Sequence, residues 1–134
     1  MKKITVLSFL VFLIFSSLTF AMDADIIVTP DEVAPCPDWG LHRMYASDPI
    51  VIVRNAATDE QILSWLGEYE CSCGEIFVCS GTPQLSNPIF YYFYDTDLFG
   101  KTSGLGVTTY YTNRTTARYT SNITLPGYRF YQYY

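Results

Sequence analysis

The chain has no run of basic residues: its eight lysines and arginines are dispersed over 134 positions. Nucleic-acid binders gather such charge on one face, so that class of partner is excluded. It has no phosphate loop either, because Gly100, Gly104 and Gly106 are followed by neither Lys-Ser/Thr nor a helix. Beyond residue 22 no apolar run reaches membrane-spanning length, and no cysteine closes the one apolar run before it. A stable span after leader removal and a lipoprotein anchor are both excluded on those grounds. Acidic side chains are absent after Asp97, so residues 98–134 carry only Lys101, Arg114, Arg118 and Arg129 as charges. Only one histidine, His42, is present. A Cys–His nucleophile pair therefore reduces to Cys36 with His42, six positions apart, and such a pair on one loop reads as structural. The chain is read as non-enzymatic.

What is present begins with the leader. Met1-Lys2-Lys3 is a short basic start, residues 4–18 are apolar apart from a few hydroxyls, and Thr19 and Ala21 provide small residues at the −3 and −1 positions. This pattern predicts a secretory signal peptide over 1–21 and a mature N-terminus at Met22. A single exported domain over 22–134 should follow, at the cell surface, in a periplasm or secreted, with room for one modest core.

The domain reads as β. Aromatics make up 17 % of the chain and twelve residues are tyrosine, a composition suited to half-exposed pleated sheet. Strands are expected at 25–29, 50–54, 76–79, 89–94, 107–112, 117–121 and 128–134, separated by proline and glycine. Short antiparallel strands at this spacing predict a small sandwich or open barrel. One short helix is expected over 58–67. Thr58 and Gln61 fit a capping box, Ile62, Trp65 and Leu66 fit one helical face, and Gly67 can close the end. Asp95 and Asp97 read as a solvated turn at a strand end rather than as an acid–base or calcium pair.

Cys71, Cys73 and Cys79 fall within nine residues, and Cys36 lies on a proline-rich stretch. An even count of cysteines in an exported chain predicts two disulfides among Cys36, Cys71, Cys73 and Cys79 and no cofactor. A three-residue hairpin loop would set Cys71 opposite Cys79. Cys71 and Cys73 would share one strand face and so not bond each other. The alternative is zinc. Cys36 and His42 on one loop with Cys71 and Cys73 on another form a Cys3His set of the kind that structural sites use, and Gly74 after Cys73 suits a zinc knuckle.

The Tyr/Thr/Arg-rich segment 107–134 is the candidate contact face, with Arg114, Arg118, Arg129, Tyr131 and Tyr133 as its expected contact residues. A cell-envelope glycan or protein is the class of partner this suggests. In the last strand, Tyr128 and Phe130 should point inward and Arg129, Tyr131 and Tyr133 outward. A second reading makes that strand an edge that pairs with another chain in a self-assembling envelope protein. Asn113 and Asn122 are glycosylation sequons, relevant only in a eukaryotic secretory route.

Three features together resemble small exported proteins of Gram-positive bacteria: Cys36-Pro37 with His42-Arg43-Met44 after it, Cys71-Ser72-Cys73, and the closing Leu125-Pro126-Gly127-Tyr128-Arg129-Phe130. The single residue between Cys71 and Cys73 departs from the Cys-x-x-Cys-like pair of that pattern. The resemblance implies export and a stand-alone domain, and no activity.

Overall fold

The computed structural model describes residues 33–132. The leader over 1–21, the strand expected at 25–29, and Tyr133 lie outside the described residues.

The fold is mainly β. Among the described residues eight strands run in order: β1 (His42–Asn55), β2 (Gln61–Glu70), β3 (Ile76–Cys79), β4 (Phe90–Tyr94), β5 (Leu98–Gly104), β6 (Val107–Thr112), β7 (Arg118–Thr120) and β8 (Tyr128–Tyr131). They form one open sheet in the order β5-β6-β1-β2-β3-β4-β7, with β8 added against β1. Most neighbours are antiparallel, whereas β6 and β8 both lie parallel to β1. These two share one edge of β1. β8 takes its first half, from His42 to Tyr45, and β6 its second, from Val51 to Asn55. The change of partner coincides with register shifts between Ala46 and Val51, around Pro49, which has no N–H to give a ladder.

The helix expected over 58–67 is replaced by a turn and the strand β2. Asn55 takes the local N–H groups first. Its Oδ1 accepts from Ala57 at 2.9 Å and Thr58 at 3.0 Å, which makes an Asx-type turn and not a helix cap. The helical look of Ile62, Trp65 and Leu66 comes from a β-bulge. Val51 pairs with Leu66 but Val53 pairs with Leu63, so β2 carries one extra residue between them. Trp65 sits there at φ 61°. A bulge shifts the period-two pattern by one step, and a shifted alternation passes for a 3–4 spacing. β5 is a strand where only glycine punctuation was expected; a two-residue turn, Leu105-Gly106 with φ 54° and 76°, folds it onto β6.

Alternation along β2, β3 and β4 builds two cores on opposite faces. Tyr69, Phe77 and Tyr94 align across the ladder and belong to a cluster with Met44, Cys36, Cys71, Cys79 and Tyr128. Their neighbours Val78 and Phe93 pair on the other face, where Val51, Val53, Leu66 and Tyr110 join them. Period-two geometry requires this separation. In β8, Tyr128 is buried, Phe130 packs against the first core and Arg129 is exposed, as the alternation predicted.

Polar side chains inside the fold are paired. Glu68, only 2 % exposed, accepts from Ser47 at 2.9 Å, Tyr110 Oη at 2.7 Å and Lys101 Nζ at 3.2 Å. It thereby links β1, β2, β5 and β6. Asp97 is not solvated as expected. Its carboxylate accepts a bidentate pair from Arg118 Nε and Nη2, at 2.7 and 2.9 Å, and a third bond from Arg114 at 3.4 Å. Its carboxyl lies below the usual range: burial opposes this, but the Arg118 bonds, the Tyr94 N–H and the charges of Arg118 and Arg114 outweigh it. Among the described residues no helix is long and apolar enough to cross a membrane.

Candidate metal centre

Two tight turns carry the sulfur ligands. In the first, Cys36 and Gly40 exchange backbone hydrogen bonds at 3.1 and 2.8 Å, with Gly40 in the left-handed region. That turn delivers the chain into β1 at His42, whose N–H donates to Gly127 at 2.8 Å. The second turn, residues 71–75, joins β2 to β3. The Cys71 N–H donates to Glu75 and the Gly74 N–H to Cys71, both at 2.9 Å. Gly74 takes φ 94° there, a conformation that disfavours any residue with a Cβ.

The hairpin register differs from the expected one. Gly67 pairs with Cys79 and Glu70 with Ile76, so the loop is five residues long and Cys79 does not face Cys71. Cys71 and Cys73 lie in the turn, not on a strand face, which frees both sulfurs to converge. All four cysteines are free thiols. The two expected disulfides are therefore not formed. The Cys36 and Cys71 sulfurs stand 3.8 Å apart, well beyond a bonded distance of about 2.05 Å.

What converges instead is the Cys3His set. One donor atom from each of Cys36, His42, Cys71 and Cys73 lies within 4.8 Å of all the others. A tetrahedral zinc with Zn–S of about 2.3 Å and Zn–N of about 2.05 Å requires sulfurs about 3.8 Å apart and N···S separations of about 3.5 Å. The Cys36–Cys71 separation is 3.8 Å, and His42 Nδ1 stands 3.3 Å from Cys73 Sγ. His42 Nε2 is 2.8 Å from the Ala34 carbonyl. Only a protonated Nε2 can make that bond, and the neutral ring then turns the Nδ1 lone pair to the sulfurs. Outer partners of this kind orient metal-binding imidazoles.

The electrostatics favour a thiolate at Cys71 and a thiol at Cys73. Burial alone would raise Cys71, yet the Cys73 N–H, the Cys73 and His42 side chains and the Arg43 N–H bring it down to about 7. Cys73 is pushed up to about 11, chiefly by burial, against the Glu75 N–H and with the neighbouring sulfurs adding to the rise. Two sulfurs that raise and lower one another's thiols compete for the same proton, and a divalent cation removes the conflict. Cys79 stands apart. Burial pushes its thiol up to about 12, and it belongs to the Phe77 core.

The expected contact residues are not gathered in one place. Arg114 and Arg118 are spent on Asp97, Tyr131 stacks on Tyr45 with ring centroids 4.9 Å apart, and Arg129 is exposed on β8. Asn113 and Asn122 are exposed in loops. Glu75, and the part Tyr128 plays beside this centre, were missed in the sequence. Tyr128 Oη donates to Glu75 Oε1 at 2.7 Å, and its ring lies 5.5 Å from that of His42. Comparison with family models, with curated proteins and with solved structures gives no match, so the function is argued from this chain's own residues.

Proposed function

We propose that the chain is an exported, non-enzymatic β domain whose fold is locked by one zinc ion held by Cys36, His42, Cys71 and Cys73. The observation that carries this reading is the convergence of four soft donors within 4.8 Å, with the His42 tautomer set by Ala34. Four protein ligands complete a tetrahedron and leave no position for a substrate or activated water, the mark of a structural zinc rather than a catalytic one. The proline-rich stretch before β1 has little regular structure, and the metal pins it to the β2–β3 turn. Export rests on the pattern of the first 21 residues, and the expected partner remains a cell-envelope glycan or protein.

Cobalt substitution tests the reading. Reduced, metal-free protein should take up one Co2+ per chain and develop thiolate-to-metal charge-transfer bands. Cys73→Ser should lose them and Cys79→Ser should keep them. Equal behaviour of the two variants, or no uptake by the wild type, contradicts the proposal.

A further inference from the structure

The bulge at Trp65 has a second effect. Its neighbour Leu66 is fully buried, while the indole of Trp65 is 78 % exposed. The residue also holds a left-handed backbone, φ 61°, where glycine is normal and a bulky side chain is strained. Backbone strain and a hydrated indole both oppose folding, so packing gives no reason for tryptophan here. The indole stands at the rim of a cavity of about 380 Å3, within the range of small-ligand sites.

The cavity lies over β2 between β1 and the segment that follows β3. Gly67 forms part of its lining, and the missing side chain keeps the space open. A Cβ at that position would make only ordinary contacts, with the Tyr69 phenol at 3.6 and 3.9 Å and the Cys79 carbonyl at 4.0 Å, and no positive φ is involved. The opposite wall is held by two fixed features. Gly81 approaches the Pro88 carbonyl so closely that a Cβ would lie 1.7 Å from its oxygen. Tyr69 Oη donates to Gln84 Oε1, which orients the amide and leaves its NH2 group to donate.

The lining chemistry is that of a neutral polyol site. Ser47, Ser80, Thr82 and Gln84 contribute hydroxyl and amide groups, and Asp48 and Glu68 two carboxylates, the first held by the Ile50 N–H at 3.2 Å and the Thr108 hydroxyl, the second by Ser47, Lys101 and Tyr110. No lysine or arginine lines the cavity, which disfavours phosphate or carboxylate ligands. An exposed aromatic face beside fixed hydroxyl, amide and carboxylate groups suits a sugar ring, whose C–H face stacks while its hydroxyls find partners.

We infer that this groove binds a saccharide, with Trp65 as the stacking platform and Gly67 as the floor that admits the ring. The site is separate from the Cys3His centre and does not depend on it.

Titration calorimetry of the mature wild-type protein with chitotriose, maltotriose and cellotriose is the test. At least one should bind saturably, with an affinity in the millimolar range or better. Trp65→Gly should weaken that binding about tenfold or more, the size of a lost stacking contact, while melting at or above the wild-type temperature because glycine relieves the backbone. Gly67→Val should abolish binding by filling the groove, in a strand where valine is favoured. Trp39→Phe, away from the groove, should bind as the wild type does. Absence of saturable binding to all three sugars overturns the inference, as does undiminished binding in either Trp65→Gly or Gly67→Val.

Discussion

Tyr128 in β8 donates its hydroxyl hydrogen to Glu75 Oε1 at 2.7 Å, and that one bond ties the last strand to the turn carrying Cys71 and Cys73. The phenol is buried, and burial followed by the Glu75 carboxylate raises its pKa far beyond the ordinary tyrosine value, so it remains a donor at any physiological pH. Tyr128→Phe keeps the ring contacts with Phe77 and His42 and removes only the bond. The expected loss is about 1.5–3 kcal/mol, the range for a hydrogen bond to a charged group, read from urea melts. Metal-free protein should show it as clearly as zinc-loaded protein.

Asp97 joins the turn before β5 to β7 through Arg118 and to the loop after β6 through Arg114. Its folded pKa is depressed. The stability it contributes is therefore complete above the unfolded carboxylate pKa of about 3.9 and is lost as pH falls through the folded value. Asp97→Asn should cost about 3 kcal/mol at neutral pH, because it leaves two partly buried guanidinium groups without their counter-charge. The gap between variant and wild type should narrow in melts taken below pH 4.

Leu105 occupies the first position of the β5–β6 turn with φ 54° and a fully exposed side chain. Two-residue turns with both residues left-handed favour Asn-Gly. Leu105→Asn removes no packing and relieves part of a left-handed penalty of about 1–2 kcal/mol. The variant should gain about 0.5–1 kcal/mol in denaturant melts, with an unchanged slope.

Cys79 is the sulfur with no place in the metal centre. Because its thiol is pushed up to about 12, it is neutral across the physiological range and shielded by the Phe77 core. Iodoacetamide at pH 7.5 should leave it unmodified in the native protein and label it after denaturation. Cys79→Ala should keep the metal and lose about 1–2 kcal/mol through the small cavity it creates.

Which parts of this molecule could be read in advance follows from how local their causes are. The strands at 76–79 and 107–112 carry their own β-branched and aromatic pattern, and each forms where that pattern lies. The inward setting of Tyr128 followed from alternation alone. β2 was misread because its bulge depends on β1, and nothing between Gln61 and Glu70 reveals that Trp65 is the extra residue. The ligand set Cys36, His42, Cys71 and Cys73 was legible from residue type and spacing. Its competition with disulfides was not, since that turned on the length of the 71–75 loop and on the left-handed Gly74. The saccharide groove had no local signal, for it exists only where a bulge, a bare Gly67 and the Gly81–Pro88 approach meet.

The central claim is that four donors hold one zinc ion, and native mass spectrometry of the mature protein, purified without chelator and with oxygen excluded, tests it most directly. The predicted spectrum shows one zinc per chain, and chelation followed by mass measurement shows four intact thiols. A metal-free chain lighter than its reduced mass by two or four hydrogens would contradict the account and restore Cys36 and Cys71 to a disulfide.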